Sequence, residues 1–291
     1  MLKKSVKFVR EAASSAASWL KVVLMSRRPS AGVKRKNNDE IVVLGNGPSL
    51  RHTLDTELPS VKRRFKLAVN FAANTPEFGL LRPEFYVLAD PHFFSFTDEA
   101  VADPNVIKMW EALRQVDWPM VLYVPCKEVK KVRMYLGNRG VTVKGFNLTP
   151  VEGLSAIVYP LYNMGLGMPR PRNVLIPSIM IAVREGFKTI YIAGADHTWS
   201  RTLGVDEENR VVSVQPHFYK DTAGEHARVA NEYAGYRLHD ILKSLYIAFR
   251  SYHQIEPYAR SKGVRIYNIS PGSFIDAFPR LRAMPEMNLE V

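Results

Sequence analysis

Polar residues in this 291-residue chain recur at one kind of position, directly after short apolar runs. Gly45-Asn46-Gly47-Pro48-Ser49 follows Ile41 to Leu44. Asn70 ends the run from Lys66, and Asp90-Pro91-His92 follows Phe85 to Ala89. Gly194-Ala195-Asp196-His197 follows Thr189 to Ala193, and Ser270-Pro271-Gly272-Ser273 follows Val264 to Ile269. In the first motif, Gly45 and Gly47 let the backbone turn sharply and approach a ligand. Pro48 suits a first helical turn, and the N–H groups that open such a helix form an anion site, usually for phosphate. Asn46 and Ser49 add side-chain hydrogen-bonding groups. The same residues also suit a strand-to-helix turn that holds nothing. The motif has neither the third glycine of a dinucleotide fingerprint nor the Gly-Lys-Ser/Thr of a P-loop. That argues against a standard NAD enzyme or ATPase and leaves a nucleotide held by a shorter phosphate contact.

A general base is sought among the histidines, because a neutral imidazole takes a proton from a hydroxyl near pH 7. His239, Tyr246 and His253 are spaced seven apart on a long expected helix, Tyr236 to Lys262, and share one stripe. The helix should start at the edge where the preceding strand ends. This places His239 near the site and His253 ~20 Å further along the axis. His239 is the expected base, with His226 and His217 next. Arg170 and Arg172 flank a proline in a Gly-, Pro- and Tyr-rich stretch from Thr149 to Asn173. They read as ligands for phosphate or carboxylate, or equally as two solvated charges.

The elements that must position these groups alternate strand and helix. Five short runs read as strands that end in the polar residues above, with further strands at Met120 to Val124 and Val141 to Phe146. Helical segments are expected at Glu99 to Val116, Lys127 to Leu136 and Pro177 to Glu185. The alternation predicts an α/β fold with a doubly wound, mostly parallel, Rossmann-like sheet. Its C-terminal edge would gather Asn46, Asn70, Asp90 and Asp196. Residues 40–291 read as one catalytic domain, with a polar, lid-like insertion at about 199–235.

The net charge of +12 suggests nucleic acid until it is located. Residues 1–36 hold ten of the 40 Lys/Arg and one of the 28 Asp/Glu, hence nine of the twelve net charges. The body is nearly neutral, which argues against nucleic acid as the partner of the main domain. Residues 1–27 read as a basic amphipathic helix, with Leu2, Val6, Val9, Ala13, Ala16, Leu20 and Leu24 on one stripe and Trp19 beside it. Such a helix lies in an anionic membrane surface, or packs on the domain or on a second subunit. It is too short and too charged to span a bilayer. Residues 28–39 read as a linker. The lone Cys126 excludes an internal disulfide and suits a reducing compartment. No Cys/His cluster has zinc spacing.

Several blocks together resemble the bacterial sialyltransferases of the Campylobacter lipooligosaccharide type. These are the strand followed by GNGPSL, Asn70 closing the next strand, and Asp90-Pro-His-Phe-Phe. To them are added IMIAVREGFKTIYIAGAD and IYNISPGS. The same blocks also resemble pterin pyrophosphokinase-like and motility accessory proteins. The resemblance covers about 41–91 and 172–278. It implies that Asn46, Asn70, Gly194 and Asp196 hold the CMP part of a CMP-sugar, with Pro271 and Ser273 in the matching C-terminal turn; Gly45, Gly47 and Ser49 of the glycine turn are expected to bind the donor with them. Arg172 falls within one residue of a family arginine. Asp90 stands where that family has Asn, Thr198 and Gly204 where it has phosphate-facing tyrosines, and Tyr246 where it has its histidine base.

The sequence therefore predicts an inverting glycosyltransferase, with His239, Asp90 and Arg172 as the catalytic set. The donor would be a nucleotide sugar, CMP-sialic acid or a related CMP-keto-acid sugar. The acceptor would be a glycan or glycolipid of surface polysaccharide or lipooligosaccharide. No cofactor is expected beyond the donor. The expected location is cytoplasmic, peripheral on the inner face of the membrane, and a homo-oligomer is left open. One alternative is a pyrophosphokinase in which Asp90 and Asp196 hold Mg²⁺. Another is a non-catalytic glycan-assembly protein.

Overall fold

The computed structural model describes residues 2–30, 39–96, 103–137, 140–212 and 235–286. Helix α1 (Leu2–Met25) precedes β1 (Glu40–Leu44), α2 (Ser49–Lys62), β2 (Phe65–Val69), α3 (Pro76–Leu81) and β3 (Phe85–Val87). Then come α4 (Pro104–Arg114), β4 (Met120–Pro125), α5 (Val129–Leu136), β5 (Val141–Phe146), α6 (Ser155–Asn163), α7 (Leu175–Arg184) and β6 (Thr189–Ala193). The chain ends with a small antiparallel pair, β7 (Gly204–Val205) and β8 (Val211–Val212), then α8 (Leu238–Ser261) and β9 (Arg265–Asn268).

Seven strands form one parallel sheet in the order β5-β4-β3-β2-β1-β6-β9. The expected doubly wound α/β architecture is therefore the observed one. After β5 the chain returns to the other side of β1, so the strand order reverses between β1 and β6. In such sheets the crevice beyond the C-terminal strand ends at this point takes the ligand.

Alternate residues of each strand enter different cores, as a sheet covered on both faces requires. Ile41, Val43, Leu67, Val69, Phe85, Ile190 and Ile192 join the core that holds α7 and the buried side of α8. Val42, Leu44 and Tyr191 face α2, and Tyr86 and Leu122 face α4 and α5. Helix α7 is apolar around its circumference because it is buried from Leu175 to Val183.

Two expectations change. The stretch Thr149 to Asn173 contains α6, which Gly165 closes at φ +66°. The rest of the stretch, with Gly167, Pro169 and Pro171, is irregular chain, and Pro160 lies inside the helix. Residues 28–30, expected to begin a linker, are fixed to the domain. Ser30 N donates to Gly145 O, and Gly145 N donates to Ser30 Oγ. Residues 31–38 lie outside the described residues. So do 213–234, which include His217, His226 and most of the expected lid.

Candidate functional site

A cavity of about 670 Å³ opens at the C-terminal ends of β1, β2, β3 and β6. Of the residues singled out from the sequence, Gly45, Asn46, Gly47, Asn70, Asp90, Arg172, Gly194 and Asp196 line it. The sheet edge gathers them because each follows a parallel strand. Asn70 takes φ +51°, a conformation asparagine tolerates, and its carbonyl accepts a hydrogen bond from Tyr86 Oη. Asp90 Oδ1 accepts from His92 N at 2.8 Å and so caps the short turn that follows.

The glycine turn works differently from the expected phosphate cradle. Gly45 N donates to Ala193 O and Gly47 N to Gly194 O, both at 2.8 Å. At the start of α2, the carboxylate of Asp196 accepts from Ser49 N at 3.2 and 3.3 Å and from Ser49 Oγ at 2.8 Å. The anion at this helix N-terminus is thus the chain's own Asp196, the charge a helix dipole favours there. The glycines are needed for the approach to β6. A Cβ on Gly47 would lie 2.0 Å from Asp196 Oδ2, and one on Gly45 2.4 Å from Gly194 O.

Other expected residues are placed elsewhere. Ser49 is not part of the cavity lining. Ser273 is buried in a lock that holds the β6 loop: its Oγ donates to Ala195 O at 2.6 Å and accepts from Asn268 Nδ2 and Ile275 N. Pro271 is exposed beside it. Helix α8 does begin at the cavity, as its direction predicted, but through Ile241, Ser244 and Leu245. At 3.6 residues per turn these lie on the side opposite His239. The His239 side chain is 80% exposed, and its stripe with Tyr246 and His253 faces solvent.

Asn173 and Trp199, which sequence reasoning did not select, join Asn46, Arg170 and Arg172, which it did. Asn173 lines the cavity. Its Oδ1 accepts from Leu175 N, Ile176 N and Tyr252 Oη, while its Nδ2 is buried without a partner. Asn46 is its complement: Nδ2 donates to Val69 O at 3.3 Å, and Oδ1 is buried without a partner. A buried polar atom left unpaired costs about 1–3 kcal/mol. Arg170 and Arg172 line the same cavity, and among the described residues neither guanidinium makes an ion pair. Trp199 lies against the His197 ring, centroids 4.1 Å apart, and gives the cavity an aromatic wall.

Two histidines line the cavity. His197, at φ +52°, is fully enclosed, and burial pushes its pKa down to about 3. Its Nε2 is 2.7 Å from Tyr252 Oη, whose own pKa burial pushes up. It is a neutral packing group. His92 is half-exposed, with Nε2 3.2 Å from Asp103 Oδ2. Asp103 Oδ1 meanwhile caps α4 by accepting from Asn105 N at 2.8 Å. A carboxylate fixed by a helix end thus holds one ring nitrogen of a cavity histidine. The signal for this pair was local: Asp103-Pro104 is a helix-start dipeptide, and His92 follows a strand end.

Among the described residues there is no cluster of three or more His, Cys, Asp or Glu able to hold a metal. Of the two carboxylates a Mg²⁺ site would need, Asp196 is engaged with Ser49 through both oxygens.

No family model matches the chain, and no curated protein does. Among solved structures it is similar to the MAf glycosyltransferase from Magnetospirillum magneticum AMB-1. Identity is 13% over 96% of this chain, with a TM-score of 0.47, and the match spans 39% of that protein's length. It is also similar to the sialyltransferase CstII from Campylobacter jejuni, solved with a substrate analogue, CMP-3FNeuAc. There identity is 11% over 84% of this chain and 86% of that one, with a TM-score of 0.39.

Proposed function

We propose that the chain is a glycosyltransferase that moves a sugar from a nucleotide donor to a glycan or glycolipid acceptor. The donor is of the CMP-linked keto-acid class. The observation that carries this reading is the pair of buried, unpartnered amide atoms, Asn46 Oδ1 and Asn173 Nδ2, in one strand-edge cavity. One asks for a donor and the other for an acceptor, and a nucleoside offers both. The cavity's size is that of a small-molecule site.

Because Gly45, Gly47 and Ser49 spend their N–H groups on β6 and Asp196, the phosphate and the sugar carboxylate fall to Arg170 and Arg172. A guanidinium matches either group bidentately. His92, oriented by Asp103, is the base. It takes the acceptor hydroxyl's proton as that oxygen bonds to the sugar's anomeric carbon. The bond from that carbon to the phosphate oxygen breaks, CMP leaves as the anion, and the anomeric centre inverts. The residue supports for this step require no metal.

Thermal melting with CMP, CDP, UDP, GDP and ATP, each with Mg²⁺ or with chelator, tests the reading. A ligand at a hundred times its Kd adds about 2.7 kcal/mol of stability. CMP is expected to raise the melting temperature by several degrees with or without Mg²⁺. Asn46→Ala and Asn173→Ala should lose that rise. A response to ATP alone, strictly dependent on Mg²⁺, would overturn the reading in favour of pyrophosphoryl transfer.

A further inference from the structure

Helix α1 docks on the domain with the opposite face from the one its amphipathic pattern would suggest. Its buried residues are Ser15, Ser18 and Val22. Ser18 Oγ donates to Glu152 O at 2.8 Å and accepts from Glu152 N at 2.9 Å. Ser15 Oγ accepts from Leu154 N at 2.9 Å. Gly153, at φ +140°, permits this approach, since a Cβ there would lie 2.2 Å from Ser15 Oγ. Ser26 and Arg27 then hydrogen-bond to Thr149 and Asn147. The contact is made by small hydroxyls against backbone and by Val22 in the core.

The apolar side of α1 is left facing outward. Val6, Val9, Trp19, Leu20, Val23 and Leu24 are 52–73% exposed. On the wheel of a 3.6-residue helix, Val6, Val9, Leu20, Val23 and Leu24 form one continuous stripe opposite Ser18. Arg10 and Lys21 lie along one edge of it and Trp19 towards the other, while Lys7 lies on the Ser18 side of the helix. The only acid among residues 1–36, Glu11, is half-buried and pairs with Lys7 at 3.7 Å. Contiguous exposed apolar patches mark interaction surfaces. Here one border, that of Arg10 and Lys21, is basic. Among the described residues no helix is long and apolar enough to cross a membrane.

We propose that α1 is an interfacial anchor for a membrane carrying anionic lipid. Its apolar stripe enters the boundary between headgroups and acyl chains, while Arg10 and Lys21 meet lipid phosphates and Trp19 lies at headgroup level. One segment touches both the anchor and the cavity. Asn147, Thr149 and Glu152 hold α1 and its extension, while Leu148 and Pro150 line the cavity. Glu152 also binds Arg250 of α8. Serine-to-backbone docking fixes α1 without spending its apolar face, so the face remains available to lipid. The proposal does not depend on the identity of the cavity's ligand.

Co-sedimentation of the full chain with vesicles tests it. One set is phosphatidylcholine alone and the other carries about a third phosphatidylglycerol, at low and high salt. Binding is expected to the anionic vesicles and to weaken with salt. Arg10→Ala with Lys21→Ala should weaken it about 25-fold, at about fivefold per basic residue near the surface. Leu20→Asp with Leu24→Asp should weaken it about 100-fold or more. Trp19 emission should shift to the blue on binding, and Trp19→Phe should remove that shift. Unchanged thermal melting shows that the variants are folded, and the Arg10/Lys21 pair serves if the Leu20/Leu24 pair is not. Absence of binding to anionic vesicles would overturn the proposal, as would equal binding to phosphatidylcholine alone. So would self-association in light scattering that the Leu20/Leu24 variant abolishes, because the stripe would then belong to a second copy.

Discussion

Asp196 can be tested as the anion that fills the α2 N-terminus, against the role of a ligand contact. Its carboxylate takes one backbone N–H and one hydroxyl from Ser49. Loss of an N-terminal cap costs about 0.5–2 kcal/mol. A hydrogen bond to a charged group is worth about 1.5–3 kcal/mol, towards the lower end at this half-buried position. Asp196→Ala should therefore destabilise the protein by about 2–3 kcal/mol, while Ser49→Ala, which leaves the N–H contact intact, should cost about 1 kcal/mol. The double variant should show a coupling of about 1 kcal/mol, the worth of the Oγ–Oδ2 bond. Urea unfolding of the four proteins measures these terms, and titration with CMP of Asp196→Asn reports the other role. Asp196→Asn should lower stability while changing CMP affinity by less than about threefold, because the side chain stays turned to Ser49. A loss of more than about tenfold in affinity, with stability changed by under about 0.3 kcal/mol and zero coupling to Ser49, would refute the capping argument.

Gly47→Ala should cost about 3 kcal/mol in urea unfolding because its Cβ meets Asp196 Oδ2 at 2.0 Å. Gly79→Ala in α3, where a Cβ meets nothing within 4 Å, should instead stabilise by about 0.5–1 kcal/mol. His197 has a folded pKa of about 3, below the ordinary 6.5, so beneath pH 6.5 the unfolded chain binds a proton that the folded one refuses. Stability should fall by up to about 1.4 kcal/mol per pH unit from 6.5 towards 3, and His197→Gln should flatten that slope in acid unfolding curves. In initial-rate assays with saturating donor, His92→Ala should lower kcat by about 10² or more, with Asp103→Asn intermediate and His239→Ala within about twofold of the parent. Gly153→Ala should loosen α1, read as faster proteolysis within residues 2–30 at an unchanged CMP response, because a Cβ there strikes Ser15 Oγ at 2.2 Å.

The sequence by itself determined the parallel α/β sheet, its ligand edge and the amphipathic first helix. Those properties live in short-range patterns: apolar runs of strand length, polar residues at their ends and a 3.6-residue stripe. Asn46, Asn70, Asp90 and Asp196 converge for that reason alone, since successive parallel strands end on one edge. Tertiary structure decided which of those groups are still available. Ser49 and Asp196 are 147 positions apart, and their contact turns an apparent phosphate cradle into a closed internal cap. His239 is kept out of the cavity by which side of its helix meets that cavity. No periodicity carries that, because a stripe shared by His239, Tyr246 and His253 reads the same whether it faces a ligand or water. Helix α1 shows the same limit from the other direction. Its pattern showed an apolar face, and only packing showed that serines hold the helix, leaving that face to the outside. Periodicity reports the polarity of a surface, whereas hydrogen-bond saturation and orientation depend on partners that folding brings from far along the chain.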